Sequence, residues 1–119
     1  MGCYQISLGD TIGAGTPETI GRMLDAVLAL VPAQRLAGHY HDTHGRALDN
    51  IAVSLDRGLR VFDSSVGGLG GCPFAPGAKG NVATEAVAAM LRAAGYETGI
   101  DPDRLARAAG FARTLRGPT

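Results

Sequence analysis

A short pattern returns one strand and one helix further along the chain: Gly-Asp-Thr-Ile-Gly at Gly9 to Gly13 recurs as His-Asp-Thr-His-Gly at His41 to Gly45. Each copy follows an apolar run of strand length and precedes a stretch with helical periodicity. A repeated βα unit leaves few options, because strands joined through a helix run parallel and bury their sheet beneath the crossovers. Polar residues just past each strand describe a piece of a (βα)8 barrel, whose active sites lie at that end of the strands. A doubly wound sheet is the alternative that the same pattern allows.

The remaining segments extend the pattern. Tyr4 to Leu8 reads as the first strand, and Thr16-Pro17-Glu18 opens a helix with a capping hydroxyl, a proline in the first turn and an acid near the positive end of the dipole. Ile20, Met23, Leu24, Val27 and Leu28 form its apolar stripe. Pro32 closes that helix, and Leu36 to Tyr40 is the second strand. Ala47, Leu48, Ile51, Ala52 and Leu55 mark the next helix, which Gly58 ends. Leu59 to Phe62 makes a third strand, delivering Asp63-Ser64-Ser65 into a glycine-rich loop, and Val82 to Ala94 returns to helix. Tyr96 to Ile100 is a short fourth strand before a last helix that starts at Asp101-Pro102. The prediction is one α/β domain over residues 1–119, a partial (βα)8 TIM barrel of about three to four βα units. A complete barrel takes about 250 residues. Half of one leaves an open sheet edge, so the chain is expected to need the rest of the barrel or self-association.

Charge and composition narrow the partners. Eleven basic and eleven acidic residues cancel, and nothing marks the surface for nucleic acid or an anionic membrane. No apolar run approaches the roughly 20 residues of a membrane helix, and the opening residues lack a secretory signal, so a cytoplasmic location is expected. Ile6 stands where a myristoylation signal needs Ser or Thr. Cys3 and Cys72 are too few for a disulfide framework and have no Cys-x-x-Cys spacing; Cys3 reads as a buried structural thiol.

His39 and His41 carry the chemistry. Two apart at a strand end, they share one face, where paired imidazoles can grip one divalent ion. Two histidines leave open positions for oxygen donors, which suits catalytic Mg²⁺ or Mn²⁺; structural zinc would want thiolates at a spacing this chain lacks. Asn81, at the end of the glycine loop, reads from spacing as a helix cap, with a carbonyl ligand as the other use. Asp10 holds the equivalent strand-end position one repeat earlier, as a base, an orienter of a histidine or a turn aspartate.

The loop from Ser65 to Asn81 is too long and aperiodic for an ordinary βα connection, which favours a functional loop or lid. Glycines are dense between Gly67 and Gly80, and Cys72 sits near the middle, flanked by Gly71 and Pro73. A thiol in that setting points to proton transfer or nucleophilic attack. Without a Gly-Lys-Ser/Thr ending the loop is no phosphate loop.

Ile-Ser-Leu-Gly-Asp-Thr-Ile-Gly at Ile6 to Gly13, His-Tyr-His-Asp-Thr at His39 to Thr43, and the loop with Gly-Leu-Gly-Gly-Cys-Pro and a later Gly-Asn together resemble the 3-hydroxy-3-methylglutaryl-CoA lyase family. Sister synthases usually read His-x-His-Asn-Asp, and related carboxyltransferases lack the cysteine loop. The resemblance implies His39, His41 and Asn81 as metal ligands, Cys72 as the loop thiol that aids proton transfer, and Asp10 as a catalytic acid near the substrate hydroxyl. It also implies an acyl-CoA substrate, cleaved to acetyl-CoA and acetoacetate, in leucine breakdown or ketone formation. Such lyases carry an Arg-Asp-Gly segment that completes the metal site, and this chain has none. The chain is therefore expected to be the C-terminal part of a longer enzyme, with little activity alone. A non-catalytic remnant or interaction module, or a sister synthase or carboxyltransferase, are the other readings.

Overall fold

The structure is a computed structural model that describes residues 2–70 and 80–115. Strand β1 (Ile6–Asp10) leads to helix α1 (Pro17–Leu28), β2 (Leu36–Tyr40) to α2 (Ala47–Asp56), and α3 (Thr84–Ala93) and α4 (Pro102–Leu115) complete the chain. The two strands are parallel, with Ile6 opposite Leu36, Gly9 opposite His39 and Asp10 opposite Tyr40. No helix among the described residues is long and apolar enough to cross a membrane.

Local chemistry accounts for the helix starts. Thr16 and Thr19 exchange side-chain-to-backbone hydrogen bonds, Thr19 N donating to Thr16 Oγ1 at 3.2 Å and Thr16 N to Thr19 Oγ1 at 2.8 Å. Pro17 sits where the helix needs no N–H donor, so the first turn of α1 is satisfied by its own sequence. Ile20 and Leu24 from α1, Leu36 and Tyr40 from β2, Ala47, Ile51 and Leu55 from α2, and Val82 and Val87 near α3 form one buried core on the helix side of the sheet.

The third strand is reduced to a single parallel bridge, Gly38 with Phe62, made by Gly38 N to Val61 O and Asp63 N to Gly38 O, both 2.9 Å. Residues 59 and 60 stay with the end of α2 instead. Leu59 N donates to Ser54 O, and the Arg60 guanidinium binds Leu55 O and Leu59 O, so the ladder begins only at Val61. Gly38 is required there: a Cβ would lie 2.8 Å from the Tyr40 ring and 2.9 Å from the Phe62 ring.

Three further expectations are corrected. Tyr96 to Ile100 forms no strand, because Gly95 and Gly99 adopt positive φ and Arg92 binds Ile100 O, folding the segment against α3. β1 starts at Ile6 rather than Tyr4, since its partner β2 starts at Leu36. Cys3 is exposed, with its carbonyl accepting from Arg35.

A polar chain runs through the core. Tyr40 Oη lies 2.6 Å from Ser54 Oγ, Ser54 donates to Asn50 O, and Asn50 Nδ2 donates to Gly15 O, tying β2 and α2 to the loop after β1. Burial pushes the Tyr40 phenol above its ordinary value, the Ser54 hydroxyl partly opposing and the Asp10 charge adding to it. A raised folded pKa means that stability is intact below the unfolded tyrosine value of about 10 and is lost as pH rises through the folded value. Tyr40→Phe is expected to cost about 1 kcal/mol at neutral pH and to flatten this alkaline fall, measured by urea midpoints from neutral to alkaline pH. An unchanged alkaline limb in the variant would contradict the assignment.

Candidate active site

The face of the sheet turned away from the core carries the two predicted histidines. His39 and His41 project from the end of β2 with ring centroids 5.3 Å apart and planes tilted by 50°. Tyr40 between them faces the core, as the period of two requires. His41 Nδ1 is shut away from solvent and has no hydrogen-bond partner among the described residues. A buried polar atom left in that condition costs about 1–3 kcal/mol, so it marks a lone pair or N–H awaiting a partner.

Asn81 arrives beside His41 through the backbone. The two residues form an isolated antiparallel bridge, and Asp42 N donates to Gly80 O at 2.7 Å. Its spacing suggested a cap, yet α3 begins at Thr84 with Ala83 at the cap position, so Asn81 stands outside the helix. Its Nδ2 donates to Leu69 O at 3.0 Å and its backbone N to Gly70 O at 3.3 Å, which turns the amide Oδ1 away from that carbonyl. These bonds draw the two ends of the glycine loop together in a neck next to His41. Gly70 has φ of 93°, and a Cβ there would meet Asn81 Nδ2 at 2.6 Å, so only glycine allows this approach. Cys72 lies outside the described residues, two positions past this neck.

The base of the loop is held from the other side. Gly67 N donates to Glu85 Oε1 at 2.8 Å, and Ser65 pairs with the return leg through Ser65 N to Val82 O and Thr84 N to Ser65 O. Glu85 also lies 3.9 Å from Arg113 of α4, which closes over the loop's first turn.

Asp10 is placed differently from the histidines. It is in register with Tyr40, one residue out of phase with His39, and its two carboxylate oxygens accept from Ala14 N (3.1 Å) and Gly15 N (2.9 Å). Those bonds are the geometry of a turn aspartate that shapes the loop into α1. Asp63 was not singled out from sequence, yet its Oδ2 is 3.1 Å from His39 Nδ1 and 3.3 Å from Ser7 Oγ. The available signal was its position just past Phe62, at the end of the third βα strand segment.

The donor set fits a divalent metal in part. Two imidazoles share one face and Asn81 is bridged to His41 through its backbone, but no group of three His, Cys, Asp or Glu among the described residues could hold an ion. A complete sphere needs oxygen donors beyond these.

A family model described as HMGL-like matches residues 1–111. The chain belongs to the HMGL-like family. It is 58% identical over 111 residues to a protein of Arabidopsis thaliana named hydroxymethylglutaryl-CoA lyase, mitochondrial, which covers 93% of this chain and 24% of that protein. A crystal structure of the HMG-CoA lyase from Brucella melitensis superposes with a TM-score of 0.96 at 69% identity, over 98% of this chain and 41% of that one. An HMG-CoA lyase from Acinetobacter baumannii, solved in complex with coenzyme A and 3-methylmalate, superposes with a TM-score of 0.86 at 40% identity, over 96% of this chain and 37% of that one. The βα units are thus a segment of the barrel that this family shares, and the chain spans only about a quarter to two fifths of these relatives' length.

Proposed function

We propose that this chain supplies the strand-end part of a metal-dependent carbon–carbon lyase site that cleaves 3-hydroxy-3-methylglutaryl-CoA to acetyl-CoA and acetoacetate. The observation that carries this reading is the His39–His41 pair, with the partnerless His41 Nδ1 beside the Asn81 neck. The names of the relatives support the reaction, and the bound coenzyme A in one of them supports the substrate class.

His39, His41 and Asn81 would hold Mg²⁺ or Mn²⁺, with further oxygen donors from barrel strands that this chain does not contain. Such an ion supplies Lewis acidity for the substrate's hydroxyl and carboxylate oxygens. The reaction also needs a base for the tertiary hydroxyl proton and a donor to the enolate of acetyl-CoA. Cys72 takes the donor role in this reading, on a loop whose ends Asn81 and Glu85 clamp at the site. Asp10 stands near the base step together with the ligand histidines. One backbone N–H holds each of its oxygens, and each oxygen keeps a second lone pair on which a proton could be carried.

The test is a graft. Exchanging the matching segment of the Brucella melitensis lyase for this chain should leave a folded enzyme that forms acetoacetate from the CoA thioester with Mg²⁺. The chain alone should fall far below the ~1–10³ s⁻¹ of ordinary enzymes. A folded, metal-loaded but inactive graft would overturn the proposed activity, and ordinary turnover by the chain alone would overturn its dependence on outside donors.

A further inference from the structure

Asp63 occupies a position that the proposed reaction does not itself assign. Its Oδ2 lies 3.1 Å from His39 Nδ1, its backbone N donates to Gly38 O, and Ser7 Oγ donates to the same Oδ2 at 3.3 Å. Three consecutive βα units therefore meet at Asp63: Ser7 from β1 and His39 from β2 at its carboxylate, and Gly38 of β2 at its backbone N. From the geometry we infer that Asp63 is the positioning residue of His39, holding its Nδ1–H and leaving Nε2 as the ring's free donor atom.

The chemistry has one direction. A carboxylate only accepts hydrogen bonds, so the ring nitrogen facing it carries the proton, and the other nitrogen of the neutral imidazole keeps its lone pair. Carboxylate–imidazole pairs of this form fix both the tautomer and the ring orientation of a metal-binding histidine. Side-chain exposures of 39% for His39 and 50% for Asp63 also admit a plain surface ion pair, which would hold no tautomer once the imidazole is neutral. The two short backbone bonds between Gly38 and the 61–63 segment argue for registration: they lock Asp63 one residue from the bridge, with His39 adjacent on the partner strand. His41 has no such partner on Nδ1, so the two histidines are prepared differently although they share a face.

The inference rests on the proposed ligand role of His39, and the test separates the two. In the full chain labelled with ¹⁵N-histidine, at about pH 8.5 where imidazole is neutral, long-range ¹H–¹⁵N correlation should show His39 with its proton on Nδ1. Asp63→Ala should move that proton to Nε2, Asp63→Asn should retain the Nδ1–H form in part through its amide oxygen, and Ser7→Ala should have a smaller effect. Unchanged His41 signals verify that each variant is folded, and Asp63→Asn keeps the test open if the alanine variant is not. A Mn²⁺ titration should then weaken by roughly 10–100-fold in Asp63→Ala. A wild-type His39 protonated on Nε2, a tautomer indifferent to Asp63, or equal Mn²⁺ affinity in both proteins would overturn the assignment. If the tautomer follows Asp63 but neither protein binds Mn²⁺, the positioning contact stands and the metal reading fails.

Discussion

Replacing His39 and His41 together with alanine should abolish Mn²⁺ binding by the chain, a larger loss than the roughly 10–100-fold that removing an outer partner costs. Binding by the unaltered chain is itself expected to be weak, because two imidazoles and Asn81 do not fill the sphere. The variant's stability without metal is the more telling half of the measurement. The substitution loses some ring packing but also removes the shut-away His41 Nδ1, whose lack of a partner costs about 1–3 kcal/mol. Metal-free stability should therefore change little while binding disappears, the signature of a group kept for function. Tight Mn²⁺ binding that survives the double substitution would refute the ligand assignment. A steep loss of metal-free stability would make the pair structural.

Leu36→Ala should produce the largest loss of stability, about 2–5 kcal/mol, read as a lower urea midpoint at unchanged slope. Leu36 is fully buried at the start of the strand that carries both histidines, packed in the core with Leu24, Ile51 and Leu59. Little of that space can collapse, because β2 is fixed on both sides, by β1 and by the Gly38–Phe62 bridge. A domain's total stability is only about 5–15 kcal/mol, and one whose sheet has two strands among the described residues should lie at the low end. The variant is therefore expected to populate unfolded chain without denaturant. A midpoint within error of the parent would show that the strand is not held by this core.

The parts of the site that were legible in sequence are those encoded by near neighbours. The strand Leu36–Tyr40 and the placement of both histidines on one face follow from a period of two, and the start of α1 from Thr16, Pro17 and Thr19. The cysteine loop stood out because its composition suits neither a helix nor a strand. Asp63 escaped notice because its partner His39 lies 24 residues away, and no local pattern announces a contact of that kind. Spacing alone favoured a cap at Asn81 over a ligand, but the helix start is set by where Val82 and Ser65 pair, not by the first polar residue before the apolar run.

The amino-acid sequence by itself determined the order of the first βα units, the faces of their strands and helices, and the histidine pair at the end of β2, because periodicity, capping and side-chain chemistry are local properties. Only the tertiary structure decided that the third strand would shrink to one bridge, that Asp10 would serve the loop into α1, and that Asp63 would reach His39. Those outcomes depend on which backbone groups win partners once strands and helix ends compete for the same hydrogen bonds. Arg60 and Leu59 held by the end of α2, and Gly38 held by Val61 and Asp63, are where that competition was resolved.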